Sequence, residues 1–228
     1  MLDVAIEVAI FDFDGVVIDS SNDICNAVNY VLGSYGLSSL PKEKIIGFVG
    51  LGAKKLLRLC FAESESLTHA NSTAFDIETI YPQYLAYYMT HSSDESILYF
   101  GLKDTLSQLK ECGIRCAIMT NKPEALTKRI CRQMDIEEYF ELIIGPESVD
   151  KMKPDPEGIS LILKSFETHA LKALMVGDSD SDVVAGRNAG TWTCGVTYGL
   201  GDYGKLVATK PDFMVDQIGE VLGIFHKF

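Results

Sequence analysis

The run Val8-Ala9-Ile10-Phe11, with Ile6 and Val4 behind it, is short, apolar and rich in β-branched residues, which suits a strand buried on both faces of a parallel sheet. Three later runs have the same character: Arg115-Cys116-Ala117-Ile118-Met119, Ala173-Leu174-Met175-Val176 and Thr191-Trp192-Thr193-Cys194-Gly195-Val196. Apolar positions recur every three or four residues between them, predicting helices over about 102–112, 124–134, 155–168 and 181–189. Strand alternating with helix implies right-handed crossovers and a doubly wound, Rossmann-like α/β sheet. Residues 18–91 break this alternation, with amphipathic stretches near 21–35, 42–48, 52–62 and 73–90 and no convincing strand. The pattern divides the chain into an α/β core, residues 1–17 and 92–228, and an inserted all-helical domain, residues 18–91. Gly33, Gly36 and Pro41 punctuate the insertion, and the polar stretch His91-Ser92-Ser93-Asp94 reads as its return connection.

At 228 residues, 47% hydrophobic and 23% charged, the chain can bury one substantial core or a core plus a smaller domain. Its net charge of −12 opposes binding to nucleic acid, because no basic surplus exists to displace counterions from a polyanion. A small anionic substrate remains compatible, provided that lysines or a metal ion concentrate positive charge locally. The cysteines, Cys25, Cys60, Cys112, Cys116, Cys131 and Cys194, are scattered, form no C-x-x-C pair and lie in a chain too large to need stapling, so they fit structural thiols in a reducing cytoplasm. The first ten residues are apolar but carry Asp3 and Glu7, matching neither a signal peptide nor a membrane helix. Neither nucleic acid nor a membrane is therefore an expected partner.

The candidate chemistry begins in Phe11-Asp12-Phe13-Asp14-Gly15-Val16-Val17-Ile18-Asp19-Ser20. The carboxyl end of a parallel strand is where such sheets bind ligands, so these carboxylates stand at the mouth of a site. Residues two apart on an extended strand share a face, bringing Asp12 and Asp14 to one centre if the strand persists; a turn at Gly15 alters this. Two nearby anions become tolerable with a hard cation such as Mg²⁺ between them.

Four ordered motifs across nearly the whole chain resemble those of the haloacid dehalogenase superfamily. D-x-D-G is matched by Asp12-Phe13-Asp14-Gly15, the strand-ending Ser or Thr by Thr120 in Ile118-Met119-Thr120-Asn121-Lys122, the lysine ahead of proline by Lys153 in Lys153-Pro154, and G-D-x-x-x-D by Gly177-Asp178-Ser179-Asp180-Ser181-Asp182. The resemblance implies a phosphatase in which Asp12 attacks phosphorus to form an aspartyl phosphate and Asp14 serves as general acid, then as base for water. It implies Mg²⁺ held by Asp12, the main-chain carbonyl of Asp14, and Asp178. The expected substrate is a small phosphorylated metabolite.

The hydroxyl and amide of Thr120 and the amide of Asn121 are candidate donors to phosphate; Thr120 is also a candidate N-cap for a helix starting near Pro123. Lys153, on a Pro-flanked loop, can bring a point charge to phosphate and nucleophile, and Asp182 can orient Lys153 or a metal-bound water. Asp180 caps the helix or faces solvent, and Lys122 either reaches the site or is surface charge. Family members with an insertion after the first motif use it as a cap. Phe48-Val49-Gly50-Leu51-Gly52-Ala53-Lys54-Lys55 resembles the glycine-containing cap loop of phosphoglycolate phosphatases, making Gly50, Gly52 and Lys54 candidate specificity residues and 2-phosphoglycolate a candidate substrate.

Departures keep other superfamily activities in view, including sugar-phosphate phosphatase or mutase, pyrophosphatase and phosphonatase. Val16 stands where phosphoglycolate phosphatases more often have Thr, and Ile24 stands where such mutases place a histidine. A phosphonatase would need a cap lysine such as Lys54 or Lys55 as Schiff base. A non-enzymatic receiver-like module also carries a phosphorylatable Asp, but is shorter and lacks the acid–base carboxylate two residues on. Asp14 and the insertion favour turnover.

Overall fold

The computed structural model describes residues 5–68 and 75–225. In chain order its strands are β1 (Val8–Phe11), β2 (Ile18–Asp19), β3 (Ile97–Leu98), β4 (Arg115–Met119), β5 (Leu142–Ile144), β6 (Ala173–Gly177), β7 (Trp192–Val196) and β8 (Phe213–Val215). The helices are α1 (Ser21–Ser34), α2 (Lys42–Ile46), α3 (Ala53–Thr68), α4 (Ile77–Thr90), α5 (Leu102–Glu111), α6 (Glu124–Gln133), α7 (Glu157–Ser165), α8 (Asp180–Ala189), α9 (Tyr203–Ala208) and α10 (Leu222–Phe225). Six strands form one parallel sheet in the order β5-β4-β1-β6-β7-β8, while β2 and β3 pair antiparallel as a separate ribbon.

β1 is central because it can be buried on both faces. Its Val8 pairs with Arg115 on one side and Ala173 on the other. The two-residue period sends Ala9 and Phe11 into an apolar cluster with Leu106 of α5 and Ile130 of α6, and sends Val8 and Ile10 into a second with Ile159 of α7 and Ala185 of α8. Helices therefore cover both faces of a doubly wound sheet. From β1 the order runs outward to β4 and β5 on one side, and to β6, β7 and β8 on the other. The carboxyl ends of β1, β4 and β6 thus meet at the switch point, where a crevice forms.

Helices α1–α4 lie between β2 and β3 and pack on one another. Ile24, Val28, Leu57, Ile80 and Tyr84 from them join the same apolar cluster as Phe11. The entering and returning connections are tied by Asp23, which is 1% exposed. Its carboxylate accepts from the amides of Glu95 (3.0 Å) and Ser96 (2.9 Å) and from the Ser96 hydroxyl (2.6 Å).

The structure adds elements that periodicity missed. β5 and β8 are three residues each, too short to display a period, and the β2–β3 ribbon is shorter still. Ile6 is buried but lies outside β1, and Val4 lies outside the described residues. The helix expected over 52–62 continues to Thr68; that expected over 73–90 starts at Ile77, where Asp76 accepts from the Glu78 amide at 3.0 Å, and residues 73–74 lie outside the described set. The six cysteines are free thiols, with only Cys112 exposed. Among the described residues no helix is long and apolar enough to cross a membrane.

Replacing Asp23 by Ala should destabilise the fold by about 2–4 kcal/mol, since two main-chain amides would lose their acceptor where water is scarce. Urea unfolding checks this; a midpoint unchanged from wild type would show that water replaces the carboxylate without cost.

Candidate active site

Each sequence motif ends at the crevice. The Asp12 amide donates to the Val176 carbonyl at 2.9 Å, so the ladder fixes this residue one position beyond β1. The strand does not persist to Asp14. Phe13 carbonyl accepts from the amides of Val17 and Ile18, and Gly15 takes φ +86°, a left-handed turn beside Asp178 where a Cβ would collide with that carboxylate. The expectation of a shared face is corrected by this turn: Asp14 lines the same cavity as Asp12, but its carboxylate points to different partners. Asp14 Oδ1 accepts from Ser20 Oγ at 2.5 Å and from Lys122 Nζ at 2.9 Å.

Asp12, Asp178 and Asp182 form a buried acidic cluster, with one oxygen from each lying within 4.8 Å of the others. Lys153 Nζ stands 2.8 Å from Asp12 Oδ1 and 2.7 Å from Asp182 Oδ1, and its side chain is 2% exposed. Asp182 Oδ2 accepts from the Ser179 amide and hydroxyl, closing the first turn of α8. Asp182 is therefore committed to Lys153 and the helix end, whereas Asp180 is exposed. Asp178 Oδ2 accepts from the amides of Leu200 (2.7 Å) and Gly201 (2.9 Å).

Burial first, then neighbouring carboxylates, push the proton affinities of Asp12 and Asp178 above the usual range, although Lys153 opposes the rise at Asp12. Burial disfavours the Lys153 ammonium, but Asp12 and Asp182 outweigh it and raise its pKa. Asp12 Oδ1 is buried with the Lys153 ammonium 2.8 Å away, an ammonium that it shares with Asp182. Crowded buried carboxylates that outnumber the cation between them fit a dication, so Asp12 and Asp178 suit a hard metal ion. Asp14 Oδ1 is turned to Ser20 and Lys122, and Asp14 is not part of this cluster.

The phosphate-side loop corrects two expectations. The Thr120 amide is spent on the Ile144 carbonyl (3.0 Å), leaving its hydroxyl as the available donor. Thr120 does not cap α6, whose N-cap is Pro123; its Oγ1 instead accepts from the Lys122 amide at 3.2 Å. Asn121 uses its side chain as a brace, donating to the carbonyls of Gly50 (2.8 Å) and Lys153 (3.2 Å) and accepting from the Lys153 amide (3.1 Å).

Gly50 and Gly52 line the cavity together with Ala53 and Leu56 at the start of α3. Gly52 takes φ +83°, and a Cβ there would press on Met152 Sδ at 3.0 Å. Lys54 is not in the cavity. One residue past Ala53, the helix turns its side chain outward, where Nζ pairs with Glu78 Oε2 at 2.6 Å. Sequence reading missed Ser20 and Tyr88 and left Lys122 open between site and surface. Lys122 is buried, reaching Asp14 and the Tyr88 hydroxyl (2.7 Å). Ser20 meets Asp14 across the turn at Gly15, and Tyr88 meets Lys122 only through the packing of α4, so no local pattern marks either. Ile24, Val49, Tyr84 and Tyr88 complete an apolar wall. The cavity volume is about 50 Å³, a few water positions at roughly 10–15 Å³ each.

The chain is similar to known proteins. A phosphoglycolate phosphatase of Vibrio parahaemolyticus is 30% identical over 220 residues, covering 96% of each chain. Phosphoglycolate phosphatase 1 of Pseudomonas aeruginosa is 33% identical over 214 residues, covering 93% of this chain and 77% of that one. A crystal structure of a predicted phosphoglycolate phosphatase from Haemophilus somnus superposes with a TM-score of 0.92 at 27% identity, covering 96% of this chain and 97% of its own. Residues 9–196, which contain all four motifs and the helical segment, match the haloacid dehalogenase-like hydrolase family, and the chain belongs to that family.

Proposed function

We propose that this enzyme is a Mg²⁺-dependent phosphatase of small phosphate monoesters, with 2-phosphoglycolate as its preferred substrate. The observation that carries the reading is the Asp12 carboxylate, buried at the switch point of the sheet with the Lys153 ammonium 2.8 Å from its Oδ1 and Asp178 beside it. A carboxylate so placed can attack an electrophile with one oxygen while the other faces a metal ion. The similarity to phosphoglycolate phosphatases supports the substrate class.

In this reading the phosphate enters against Thr120 Oγ1, the Asn121 amide and the Lys153 ammonium. Asp12 attacks phosphorus, forming an aspartyl phosphate as the bond to the leaving oxygen breaks. Asp14 gives its proton to that oxygen and later removes one from the water that hydrolyses the intermediate. Bound at Asp12 and Asp178, Mg²⁺ supplies charge neutralisation for the phosphoryl group. Lys153 keeps Asp12 oriented, and Asp182 keeps Lys153 oriented.

Residues 18–91 act as a cap whose loop at Gly50 and Gly52 and apolar wall set the space left for the leaving group. Ile24 and the apolar wall offer no histidine to assist a sugar hydroxyl, which favours a hydrolase over a mutase. With Lys54 held outside by Glu78, specificity falls to the loop backbone and the start of α3 rather than to that side chain. The same placement disfavours Lys54 as a phosphonatase Schiff base. The free thiols fit a reducing cytoplasm.

Asp12→Asn should lower phosphate release at least a thousandfold, about 4 kcal/mol of barrier, with unchanged circular dichroism. Residual turnover well above that in a contamination-free preparation would argue against covalent catalysis. Chelation should abolish activity and Mg²⁺ should restore it, with Asp178→Ala requiring more metal; an identical Mg²⁺ titration would remove Asp178 from the ligand set. Gly52→Val should lower kcat/KM for 2-phosphoglycolate about tenfold, roughly 1.4 kcal/mol, and affect a generic aryl phosphate less. Lys54→Met should leave that preference intact. Equal losses on both esters for Gly52→Val, or a loss of preference in Lys54→Met, would reverse the assignment of loop and lysine.

A further inference from the structure

Lys122 is a buried ammonium that the phosphoryl-transfer chemistry above does not use. Its Nζ donates to Asp14 Oδ1 at 2.9 Å and to the Tyr88 hydroxyl at 2.7 Å, and stands 4.5 Å from the Tyr88 ring centroid. The lysine side chain is 4% exposed and Tyr88 is 1% exposed, so neither is held by solvent. Asp14 Oδ1 also accepts from Ser20 Oγ. The three partners come from distinct places: Lys122 from the loop after β4, Ser20 from the position before α1, and Tyr88 from near the end of α4. Both ends of the helical segment therefore meet the Asp14–Lys122 pair, Ser20 at the carboxylate and Tyr88 at the ammonium.

We propose that Tyr88 and Lys122 are positioning residues for Asp14, Lys122 through its contact with the carboxylate and Tyr88 through Lys122. The inference rests on the acid–base role given to Asp14. A flexible lysine with three donors has no intrinsic reason to hold one carboxylate rotamer. Here the Tyr88 oxygen fixes a second N–H direction and its ring covers the ammonium, which leaves the direction to Asp14 defined. Burial foremost, and then nearby Asp14, raise the pKa of Tyr88 well above its usual value, so its hydroxyl stays protonated and takes no proton from Lys122. Neither residue exchanges a proton in the reaction. The proton goes from Asp14 to the leaving oxygen while the Asp12–phosphorus bond forms and the ester bond breaks.

The test exploits the leaving group. Proton donation matters most for a poor leaving group and least for a good one. An alkyl phosphate and p-nitrophenyl phosphate are compared by kcat/KM, which reports events up to the first irreversible step. Asp14→Asn serves as reference and must lower the alkyl-to-aryl ratio strongly; an unchanged ratio in this variant sinks the acid–base role itself and the proposal with it. Tyr88→Phe, which keeps the ring and the packing, should lower the same ratio at least fivefold, and Lys122→Met should lower it further. Combining Tyr88→Phe with Asp14→Asn should add no further change to the ratio. An equal loss on both esters, a Tyr88→Phe effect that persists in the Asp14→Asn background, or a rise in KM confined to carboxylated esters would each overturn the proposal; the last would make Lys122 a substrate-binding cation. Unfolding midpoints of all variants separate these results from simple destabilisation.

Discussion

The site depends on how few positive charges are available to hold so many negative ones. Asp12, Asp178 and Asp182 crowd together, and the Lys153 ammonium is shared between two of them at 2.8 and 2.7 Å. An uncompensated buried charge is costly, so the surrounding structure is arranged to dispose of each carboxylate oxygen. Two of those on Asp182 are consumed by Lys153 and by Ser179 at the start of α8. One on Asp178 is consumed by the amides of Leu200 and Gly201. Asp12 Oδ1 is buried and depends on its share of the Lys153 ammonium. Gly15 belongs to the same arrangement, since any side chain there would occupy the volume of the Asp178 carboxylate.

Much of this was legible in the chain because a parallel sheet converts sequence position into spatial position with little freedom. An apolar run buried on both faces must be an interior strand, and the residue following it must lie at the carboxyl edge. Asp12, Thr120 and Asp178 each follow such a run, so their convergence needed only the topology. The positions of Asp14 and Lys54 were harder to read for opposite reasons. A turn at Gly15 redirected Asp14 away from the face of Asp12, and helical rotation at the start of α3 carried Lys54 out to Glu78. Strands β5 and β8 escaped notice because three residues cannot express a period. Tyr88 was invisible for a different reason: its role follows from how α4 packs over the sheet, and an aromatic residue in a helix has the same local signature whether it fills a core or meets a lysine.

The apolar cluster gives that packing its rigidity. Phe11 of the central strand and Tyr84 and Leu57 of the helical segment belong to one continuous set of buried side chains. Separating the segment from the sheet would expose part of this set to water, at roughly 25 cal/mol for each Å² uncovered. The described arrangement is thus held closed by ordinary hydrophobic burial, to which the polar contacts at Asp14 add direction.

The brace at Asn121 has a kinematic consequence. One planar amide is joined to the Gly50 carbonyl on one side and to both the amide and the carbonyl of Lys153 on the other. A plane with three attachments cannot tilt at one without tilting at the others. The Gly50 loop and the loop that carries Lys153 are thus fastened to one rigid group, so the distance between them is set by the span of a single amide.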